Sequence, residues 1–426
     1  MPDGTATAHL FRPKLLTVLT ERYGRDSFRR DVVAALTVAI VALPLSMAFA
    51  IASGVGPERG LYTAIVGGFL VSALGGSRFQ IGGPAGAFIV VVSATVTKFG
   101  LDGLLLTVAM SGVLLALLGL SRLGSLIRHI PHAVTVGFTA GIAVIILASQ
   151  LKDLAGLTLH GPEPGALLPK LAALAGAFST LNQAALAIGV ATAALILTLR
   201  QLRPNWPGML IAVVLASLAV LLLHLNIETI GSRFGALPHG LPRPHLPAFS
   251  AARLLDLLPA ALSFTLLGGV ESLLSAKVAD SMTGRKHRAN MELIAQGIAN
   301  IGSALFGGIA VTGTIARTAT NVRAGATSPV SGLMHALFLL LFLLVAAPMA
   351  AYVPLSALAG LLAVVCWNMA EKKEIASLLR SGPSAMVLVA TFGLTIIRDL
   401  TTGIVAGCLL AALLALLHRG VREEGA

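Results

Sequence analysis

The chain of 426 residues carries far fewer charges than its length requires for a water-exposed surface. Hydrophobic residues make up 56% of it and charged residues 11%, and its mean hydropathy is +0.90. Soluble domains have about a quarter of their residues charged, so the composition excludes a soluble protein and indicates one membrane unit. The net charge of +12 lies in short segments between apolar runs, which is the pattern that orients membrane proteins. The sequence has no basic stripe with interleaved aromatic residues, so it does not indicate nucleic-acid binding.

The remaining composition excludes several kinds of site. Cys366 and Cys408 lie in apolar runs, and no Cys/His spacing indicates a disulfide framework or a zinc site. No cofactor or metal is expected. The sequence contains no HExxH, no GxSxG and no paired carboxylates at catalytic spacing, so it does not indicate an enzyme. Residues 1–30 are polar and basic and lack the apolar core of a signal peptide, so they are predicted to form a cytoplasmic leader.

Apolar runs of about 20 residues predict twelve ordinary membrane spans. Two further apolar stretches, at 81–98 and 309–324, are short and interrupted by glycine, proline or arginine. Counting both, we expect about fourteen crossings within a transmembrane domain at 31–419, followed by a tail at 420–426. The ordinary spans are predicted at 32–53, 57–75, 103–121, 130–150, 183–200, 207–224, 256–277, 291–306, 327–348, 353–369, 383–397 and 400–418.

The basic residues support this count, because they fall on one side of the membrane if both interrupted stretches cross once. Short cytoplasmic loops are enriched in Lys and Arg, so both termini are predicted to be cytoplasmic, and anionic lipid headgroups suffice as partners for these charges. The residues that set the orientation include Arg22, Arg29, Arg30, Arg78, Arg122, Arg128, Arg200, Arg203, Arg285, Lys286, Arg288, Lys372, Lys373, Arg380, Arg419 and Arg422.

The two interrupted stretches share one pattern, in which Gly-Gly and β-branched residues precede a run that can form a helix. In 79–88 (FQIGGPAGAF), Pro84 follows Gly82-Gly83 and stands where a helix could begin, since proline loses nothing at the first helical position. In 306–317 (FGGIAVTGTIAR), Thr312 or Thr314 is a plausible N-cap. Each stretch is therefore predicted to be an extended lead-in followed by a half-helix that starts inside the membrane.

These stretches are third in each set of seven predicted spans, and two repeats of seven spans have opposite orientations. The N-termini of the half-helices should therefore point at each other near the middle of the bilayer. Unpaired N–H groups and two positive dipole ends would make an anion site there, and such matched interruptions indicate a transporter's substrate site. The alternative is a pair of kinked, glycine-rich packing helices.

A carboxylate inside an apolar span is the main charge anomaly. Glu271 would cost about 2.5–3.5 kcal/mol to insert, so it is expected to face the bundle interior or a cavity. It is predicted to carry a coupling proton or bind a cation, with Ser275 one turn on and on the same face. The alternative is a carboxyl that hydrogen-bonds the backbone of a broken helix.

Two other interior positions leave two interpretations open, and a third has one expected role. Arg317 either adds positive potential behind the anion site or neutralises Glu271. Pro44 kinks the first span and could place Leu45, Ser46 or Phe49 beside a ligand, although a packing kink explains it equally well. His335 lies in an apolar run, and a core histidine with satisfied hydrogen bonds is expected.

Four stretches carry a resemblance to a known family: 31–60 (DVVAALTVAIVALPLSMAFAIASGVGPERG), 75–88 (GGSRFQIGGPAGAF), 281–308 (SMTGRKHRANMELIAQGIANIGSALFGG) and 315–329 (IARTATNVRAGATSP). Over essentially its whole length the chain resembles the SulP family of sulfate-permease-like anion transporters. Within that family it looks most similar to bacterial C4-dicarboxylate transporters of the DauA type.

The resemblance implies an all-α membrane protein of fourteen spans, with inverted repeats of seven at about 31–200 and 205–419. Core and gate domains, an elevator-like movement of the core, a homodimer and a bacterial inner-membrane location are implied as well. Relatives continue into a cytoplasmic STAS domain, whereas only a short tail follows His418 here; we therefore expect a truncated or a domain-less member.

The family's anion site lies between the half-helices and the first span. Many relatives have a glutamine where Leu45 stands, so donors here are expected to be mostly backbone N–H groups. Glu271 matches an acidic residue that serves cation coupling in a bicarbonate-transporting branch. The substrate-binding residues implied are Leu45, Phe49, Gly83, Pro84, Ala85, Gly86, Ala87, Gly313, Thr314, Ile315, Ala316 and Arg317.

The predicted function is secondary active transport of a small anion. The leading hypothesis is proton-coupled symport of a C4-dicarboxylate such as fumarate or succinate, which rests on the resemblance together with Glu271. The alternatives are a sulfate or bicarbonate transporter, with sodium as a possible coupling ion, and a passive anion channel.

Overall fold

The structure is a computed structural model that describes residues 11–21, 23–124, 131–161, 163–164, 166–204, 206–398 and 400–423. The first ten residues of the predicted leader and the last three of the predicted tail lie outside these ranges. Two of the basic residues named above, Arg22 and Arg128, lie outside them as well.

Helices make up almost all of the described chain. The elements of the first half are α1 (Lys14–Thr20), α2 (Arg25–Ala52), α3 (Pro57–Tyr62, a π-helical turn Thr63–Gly67, then Gly68–Leu74), β1 (Gly82–Gly83), a 3-10 turn Gly86–Phe88 that opens α4 (Ile89–Leu120), α5 (His132–Ala155), α6 (Leu167–Gly176), a 3-10 turn Phe178–Thr180 and α7 (Gln183–Leu202). The elements of the second half are α8 (Gly208–Leu222), α9 (Ile230–Phe234), α10 (Ala251–Thr283), α11 (Ala289–Leu305), β2 (Thr312–Gly313), α12 (Ile315–Arg323), α13 (Val330–Val345), α14 (Ala347–Ala350), α15 (Leu355–Met369), α16 (Lys372–Leu379), α17 (Gly382–Ile397) and α18 (Leu400–Glu423).

Six helices in the described part of the chain are long and apolar enough to cross a membrane. Large apolar side chains stand exposed on the outside of the bundle, including Val113, Leu117 and Leu341, which are 49–54% exposed. Lipid rather than water suits such a surface. The prediction of a multi-pass helical membrane protein is confirmed. The six helices are Arg25–Ala52, Gly86–Leu120, His132–Ala155, Gln183–Leu202, Ala251–Thr283 and Leu355–Leu379.

The structure corrects several predicted boundaries. The spans expected at 81–98 and 103–121 are joined into one element that breaks at Gly100, where φ is 70° and ψ is −176°; glycine adopts this conformation readily. The helix at the span expected at 256–277 is longer at both ends, since α10 runs from Ala251 to Thr283 with Pro259 inside it. The prediction also omitted α6, which is apolar but only ten residues long.

The helices pack into two groups. In the first, α3, α10, α12 and α13 pack around the contact between α4 and α11, where Gly112 and Gly297 lie against each other's backbone. In the second, α5, α7, α8, α15, α17 and α18 pack together, and Gly189 lies against Gly360. Small residues let membrane helices approach this closely. Helix α2 contacts both groups and lies between them.

The two interrupted stretches meet inside the first group. β1 pairs with β2 in an antiparallel register that sets Gly82 opposite Gly313 and Gly83 opposite Thr312. Both strands are fully enclosed by protein. Non-helical backbone is tolerated at membrane depth only where protein or a water cavity satisfies it, and here each lead-in pairs with the other. The predicted extended lead-ins are confirmed, and the alternative of two kinked packing helices is wrong.

Candidate functional site

The first half-helix begins two residues later than Pro84. Ala85 holds the N-cap position, and Phe88 N donates to Ala85 O at 3.1 Å in the 3-10 turn. The opening turn is covered by apolar side chains, because a Cβ at Gly86 would lie 3.5 Å from Phe49 Cε1 and 3.2 Å from Met369 Sδ. Pro84 therefore ends the extended segment, and its fixed φ directs the chain into the turn.

The second half-helix begins at Ile315, with Thr314 at the N-cap position. The Thr314 hydroxyl does not cap the helix and instead donates to Ile81 O at 3.4 Å. Thr312 lies in β2, so its predicted role as an N-cap is wrong. Ile315 is 39% exposed and Ala316 is exposed as well. The first turn of this half-helix is therefore accessible, whereas that of the first half-helix is covered.

Each lead-in is held by side chains from the other half of the chain. Thr318 accepts a hydrogen bond from Ile81 N at 3.1 Å, and Asn321 Nδ2 donates to Phe79 O at 2.9 Å. In the opposite direction, Thr63 Oγ1 in the π-helical turn accepts from Ile309 N at 2.7 Å. Buried backbone groups need such partners, and the two halves of the chain supply them to each other.

Arg317 reaches from the second half-helix to the first. Its Nη2 donates to Pro84 O at 3.1 Å and to Ser46 Oγ at 3.4 Å, and the residue is only 2% exposed. A Cβ at Gly83 would collide with Arg317 Nη1, so the guanidinium needs a glycine there. The ion pairs among the described residues do not include one between Arg317 and Glu271. The geometry fits a positive charge behind the half-helices and does not fit neutralisation of Glu271.

Glu271 is partly exposed although its neighbours Val270 and Ser272 in α10 are buried. Helix α10 is continuous here, and no hydrogen bond joins the Glu271 carboxylate to another described residue. The alternative interpretation, in which the Glu271 carboxyl hydrogen-bonds the backbone of a broken helix, is therefore wrong. Ser275 lies one turn on but is fully buried and donates to Thr318 Oγ1 at 3.0 Å, so it supports the second half-helix.

Leu45 and Phe49 of α2 are each 6% exposed. Helix α2 packs on α12, and its Phe49 side chain lies beside the 3-10 turn that opens the first half-helix. Gly313 is fixed by Gln80, because a Cβ there would collide with the Gln80 amide, which itself donates to Ser272 Oγ at 2.8 Å. The predicted substrate-binding residues therefore lie together around β1 and β2, whereas Ser275 is tied into the support behind them.

Sequence reasoning missed the residues that hold the site together. Asn300 pairs with Val311 in both directions, accepting from Val311 N at 3.0 Å and donating to Val311 O at 2.8 Å. Ser303 donates to Ile309 O at 2.6 Å, and the buried Glu292 accepts from Gly76 N at 2.8 Å. The polar positions 292, 296, 300 and 303 of α11 recur at helical spacing. That stripe could have been recognised in the sequence.

The arrangement provides two helix N-termini and one buried cation around a common centre. The first N–H groups of a helix have no partner within it, and the dipole makes that end positive. The half-helices begin within three residues of β1 and β2, and Arg317 adds a full positive charge. An anion is the ligand that suits this arrangement.

The fold and the site define a multi-pass helical membrane protein with two paired half-helices. The profile of the sulfate permease family matches residues 28–391. The chain belongs to the sulfate permease family, and the predicted family resemblance is confirmed. The relatives are named as transporters of anions, so the chain is an anion transporter of this family; its particular closeness to DauA-type members stays a prediction.

Three similar proteins illustrate the relationship. The chain is 44% identical over 391 residues to "Putative sulfate transporter YvdB" of Bacillus subtilis, covering 91% of this chain and 74% of that protein. It is 31% identical to the solved transmembrane domain of a cyanobacterial bicarbonate transporter, BicA, with a TM-score of 0.81, covering 90% of this chain and 98% of that one. The inward-facing murine Solute Carrier 26 family member A9 has a TM-score of 0.87 at 21% identity, covering 98% of this chain and 73% of that one. This last likeness concerns the fold alone.

Proposed function

We propose that the chain is a secondary active carrier of small carboxylate anions, with C4-dicarboxylates such as fumarate and succinate as its main substrates. The observation that carries the proposal is the pair of half-helices that begin beside β1 and β2, with Arg317 buried behind them. The predicted residues from Leu45 to Arg317 named above form the substrate site. Backbone N–H groups bind the anionic oxygens, and Arg317 supplies the field that holds them.

The walls of the site support an organic substrate. Leu45, Phe49 and Ile315 present hydrocarbon, and Ile315 is the accessible member. A dicarboxylate has carbon atoms to place against such walls. Sulfate must instead replace a strong hydration shell with hydrogen-bond donors on every side, and burial without those donors is costly. A site in which backbone N–H donors lie beside hydrocarbon walls therefore favours a carboxylate over sulfate.

We propose fourteen crossings in two inverted repeats of seven, with both termini in the cytoplasm of a bacterial inner membrane and with a homodimer as the assembly. The two helix groups support a division into a core, which carries the half-helices, and a gate. In an elevator mechanism the core, together with the site residues of α2, slides along the gate. Glu271 is then the coupling site, which binds a proton or a sodium ion close to the anion.

The test is uptake of labelled fumarate into proteoliposomes with an imposed inward proton gradient. We expect accumulation above the external concentration, and loss of that accumulation in Glu271→Gln. The matched control is Glu374→Gln, which removes a half-exposed carboxylate outside the site. Flux that never exceeds equilibration would indicate a passive anion channel. Full proton-driven accumulation in Glu271→Gln would rule out the coupling role.

Sulfate or bicarbonate is the second candidate substrate, and the relatives named above favour it. Competition with fumarate by sulfate, bicarbonate and succinate in the same vesicles, with and without sodium, separates the candidates. We expect succinate to compete strongly and sulfate weakly. The opposite order would assign the chain to inorganic anions.

A further inference from the structure

Several cations meet where the leader joins the first helix group. Lys14 N donates to Gly75 O at 2.9 Å, and Arg288 N donates to Gly76 O at 3.0 Å. Because the two acceptors are adjacent in the chain, Lys14 and Arg288 are brought close together. The Arg288 side chain also turns towards the leader, since its Nη1 donates to Arg12 O at 2.6 Å.

The carboxylates near this point are already engaged. Glu21 accepts from Arg78 Nη2 at 2.5 Å and is half-exposed. Asp280 accepts from the backbone N–H of His287 at 3.0 Å, and its Oδ2 lies 2.6 Å from the His287 ring nitrogen Nδ1. Positive charge therefore exceeds negative charge here. The cations of this basic cluster are Arg12, Lys14, Arg78 and Arg288.

The cations of the cluster repel one another. Burial, together with the neighbouring charges of Arg288 and Arg78, lowers the pKa of Lys14. Burial also lowers the pKa of Arg288, and the charges of Arg12 and Arg78 add to the effect. An opposite charge placed among such groups favours their charged forms. An anion bound in the cluster would therefore relieve a repulsion that the folded chain leaves in place.

Basic residues elsewhere in the chain obtain protein partners. Arg200 Nη1 donates to Asn368 Oδ1 at 2.6 Å, and Lys372 Nζ lies over the Trp367 ring. The Lys14 ammonium, by contrast, makes no ion pair with a described carboxylate. The basic cluster is thus distinguished by its unbalanced charge as well as by its number of cations.

The cluster has donors to offer to an oxyanion. A guanidinium has five N–H groups, and Arg288 uses two of them on Arg12 O and on Thr17 Oγ1, the second at 3.0 Å. The side chains of Lys14 and Arg288 are neither fully buried nor fully exposed, so a ligand can reach them from the surface. Phosphate oxygens form short, strong hydrogen bonds with such cationic donors.

Exposed hydrocarbon lies beside these donors. In α1, Leu16 is 48% exposed and Leu19 is 58% exposed, whereas Val18 is buried against the protein. Positions three residues apart share one face of a helix, so the two leucines form an apolar outer face. A short helix with cationic residues and an exposed apolar face is typical of the headgroup region of a bilayer.

We propose that the basic cluster binds the phosphate of an anionic phospholipid, with Lys14 and Arg288 as its main donors and with Leu16 and Leu19 against its acyl chains. The charge of the cluster accounts for the anionic headgroup, and the outer face of α1 accounts for the hydrocarbon. The bound lipid joins the leader to the first helix group. The proposal does not depend on which anion the protein carries.

The test is calorimetric titration of delipidated protein in a neutral detergent with short-chain phosphatidylglycerol. Phosphatidylcholine of the same chain length and inorganic phosphate are the comparison ligands. We expect saturable binding of phosphatidylglycerol, with a Kd at least tenfold lower than that of either comparison ligand. Lys14→Gln should raise this Kd by about tenfold or more, since it removes a charged donor. The matched control is Lys373→Gln, which changes an exposed lysine outside the cluster and should bind as the wild type does.

A second variant and a second measurement guard against loss of folding. Lys14→Arg keeps the charge and should retain the wild-type Kd. In the wild type, saturating phosphatidylglycerol should slow hydrogen exchange in α1, whereas phosphatidylcholine should not. The proposal is overturned by an equal Kd in Lys14→Gln and Lys373→Gln, or by unchanged exchange in α1. Inorganic phosphate that binds as tightly as phosphatidylglycerol would overturn it too, in favour of a site for free phosphate.

Discussion

Gly83 and Arg317 make up one structural unit at the residue scale. The guanidinium occupies the space that a side chain at position 83 would need, and it is held there by Pro84 O. A glycine in an extended strand has no requirement for positive φ here. Its role is to leave room for the charge that lies behind the half-helices.

Gly83→Ala should displace Arg317 and weaken anion binding. Losing the contribution of a charged donor is worth about 1.5–3 kcal/mol, which corresponds to about a tenfold to hundredfold higher Kd. The measurement is anion binding to purified protein by calorimetry. Gly393→Ala is the matched control, because nothing lies within 4 Å of the added Cβ. Equal affinity of the two variants would contradict this account of Gly83.

At the scale of elements, α11 works as a scaffold for the second lead-in. Its polar stripe provides Asn300 and Ser303, whose side chains take the place of a neighbouring strand for Val311 and Ile309. A neighbouring face of α11 packs on α4 through Gly297. One helix therefore fixes both the extended segment and the closest helix contact of the first group.

Asn300→Leu should leave the N–H and C=O groups of Val311 unpaired in a dry interior. We expect destabilisation of about 1–3 kcal/mol, seen as a lower thermal midpoint in detergent, together with reduced transport. On the same helix, Ile298 is 37% exposed, and Ile298→Leu serves as the control with an unchanged midpoint. An unchanged midpoint in Asn300→Leu would show that the pairing contributes nothing to stability.

At the scale of the whole molecule, the leader is docked on the first helix group. Lys14 N donates to Gly75 O at 2.9 Å, Arg288 Nη1 donates to Arg12 O at 2.6 Å, and Arg78 Nη2 lies 2.5 Å from Glu21 Oε1. These contacts join a segment before the first span to both halves of the chain. They also join it to the group of helices that is proposed to move.

The Glu21 contact makes docking of the leader depend on pH. The hydrogen bond from Arg78 holds the pKa of the Glu21 carboxyl below its ordinary value, which is about 4.3 when the leader is released. Its contribution is therefore complete above about pH 4.3 and is lost as the pH falls through the lower docked pKa. Glu21→Gln should reproduce the acid state at pH 7, with faster hydrogen exchange in α1. Asp26→Asn, which neutralises a leader carboxylate outside this contact, should leave the exchange of α1 unchanged.

The accuracy with which the sequence predicted the fold differs between segments. Long apolar runs such as α2 and α5 were located, with ends that differ by up to about seven residues, because crossing a bilayer requires length and hydropathy that the sequence displays. The half-helices were located from Gly-Gly and proline. The pairing of β1 with β2 was not predicted, since two-residue strands show no periodicity and their register is set by partners in the other half of the chain.

The site shows the same limit. The sequence predicted Gly83, Gly313 and Arg317 as site residues, but the direction of the Arg317 side chain depends on Pro84 and Ser46, which come from distant parts of the chain. The hydrogen bonds of Asn300 likewise follow from packing between elements. So does the state of the buried His335, for which satisfied hydrogen bonds were expected but whose ring nitrogens have no partner among the described residues. Residue type predicts that such groups need partners, and tertiary structure decides which partners they obtain.

The pairing of Gly82–Gly83 with Thr312–Gly313 also has a consequence for how the protein is made. When the ribosome has delivered β1 to the membrane, more than 200 residues must still be translated before β2 exists. At typical synthesis rates this takes on the order of 10–50 s. During that interval the open backbone of β1 has no strand partner, and hydrocarbon cannot replace it. During biogenesis the insertion machinery, or water held at it, must therefore solvate the backbone of β1. A chain whose synthesis stops before Thr312 keeps this backbone unpaired and is a substrate for proteolysis.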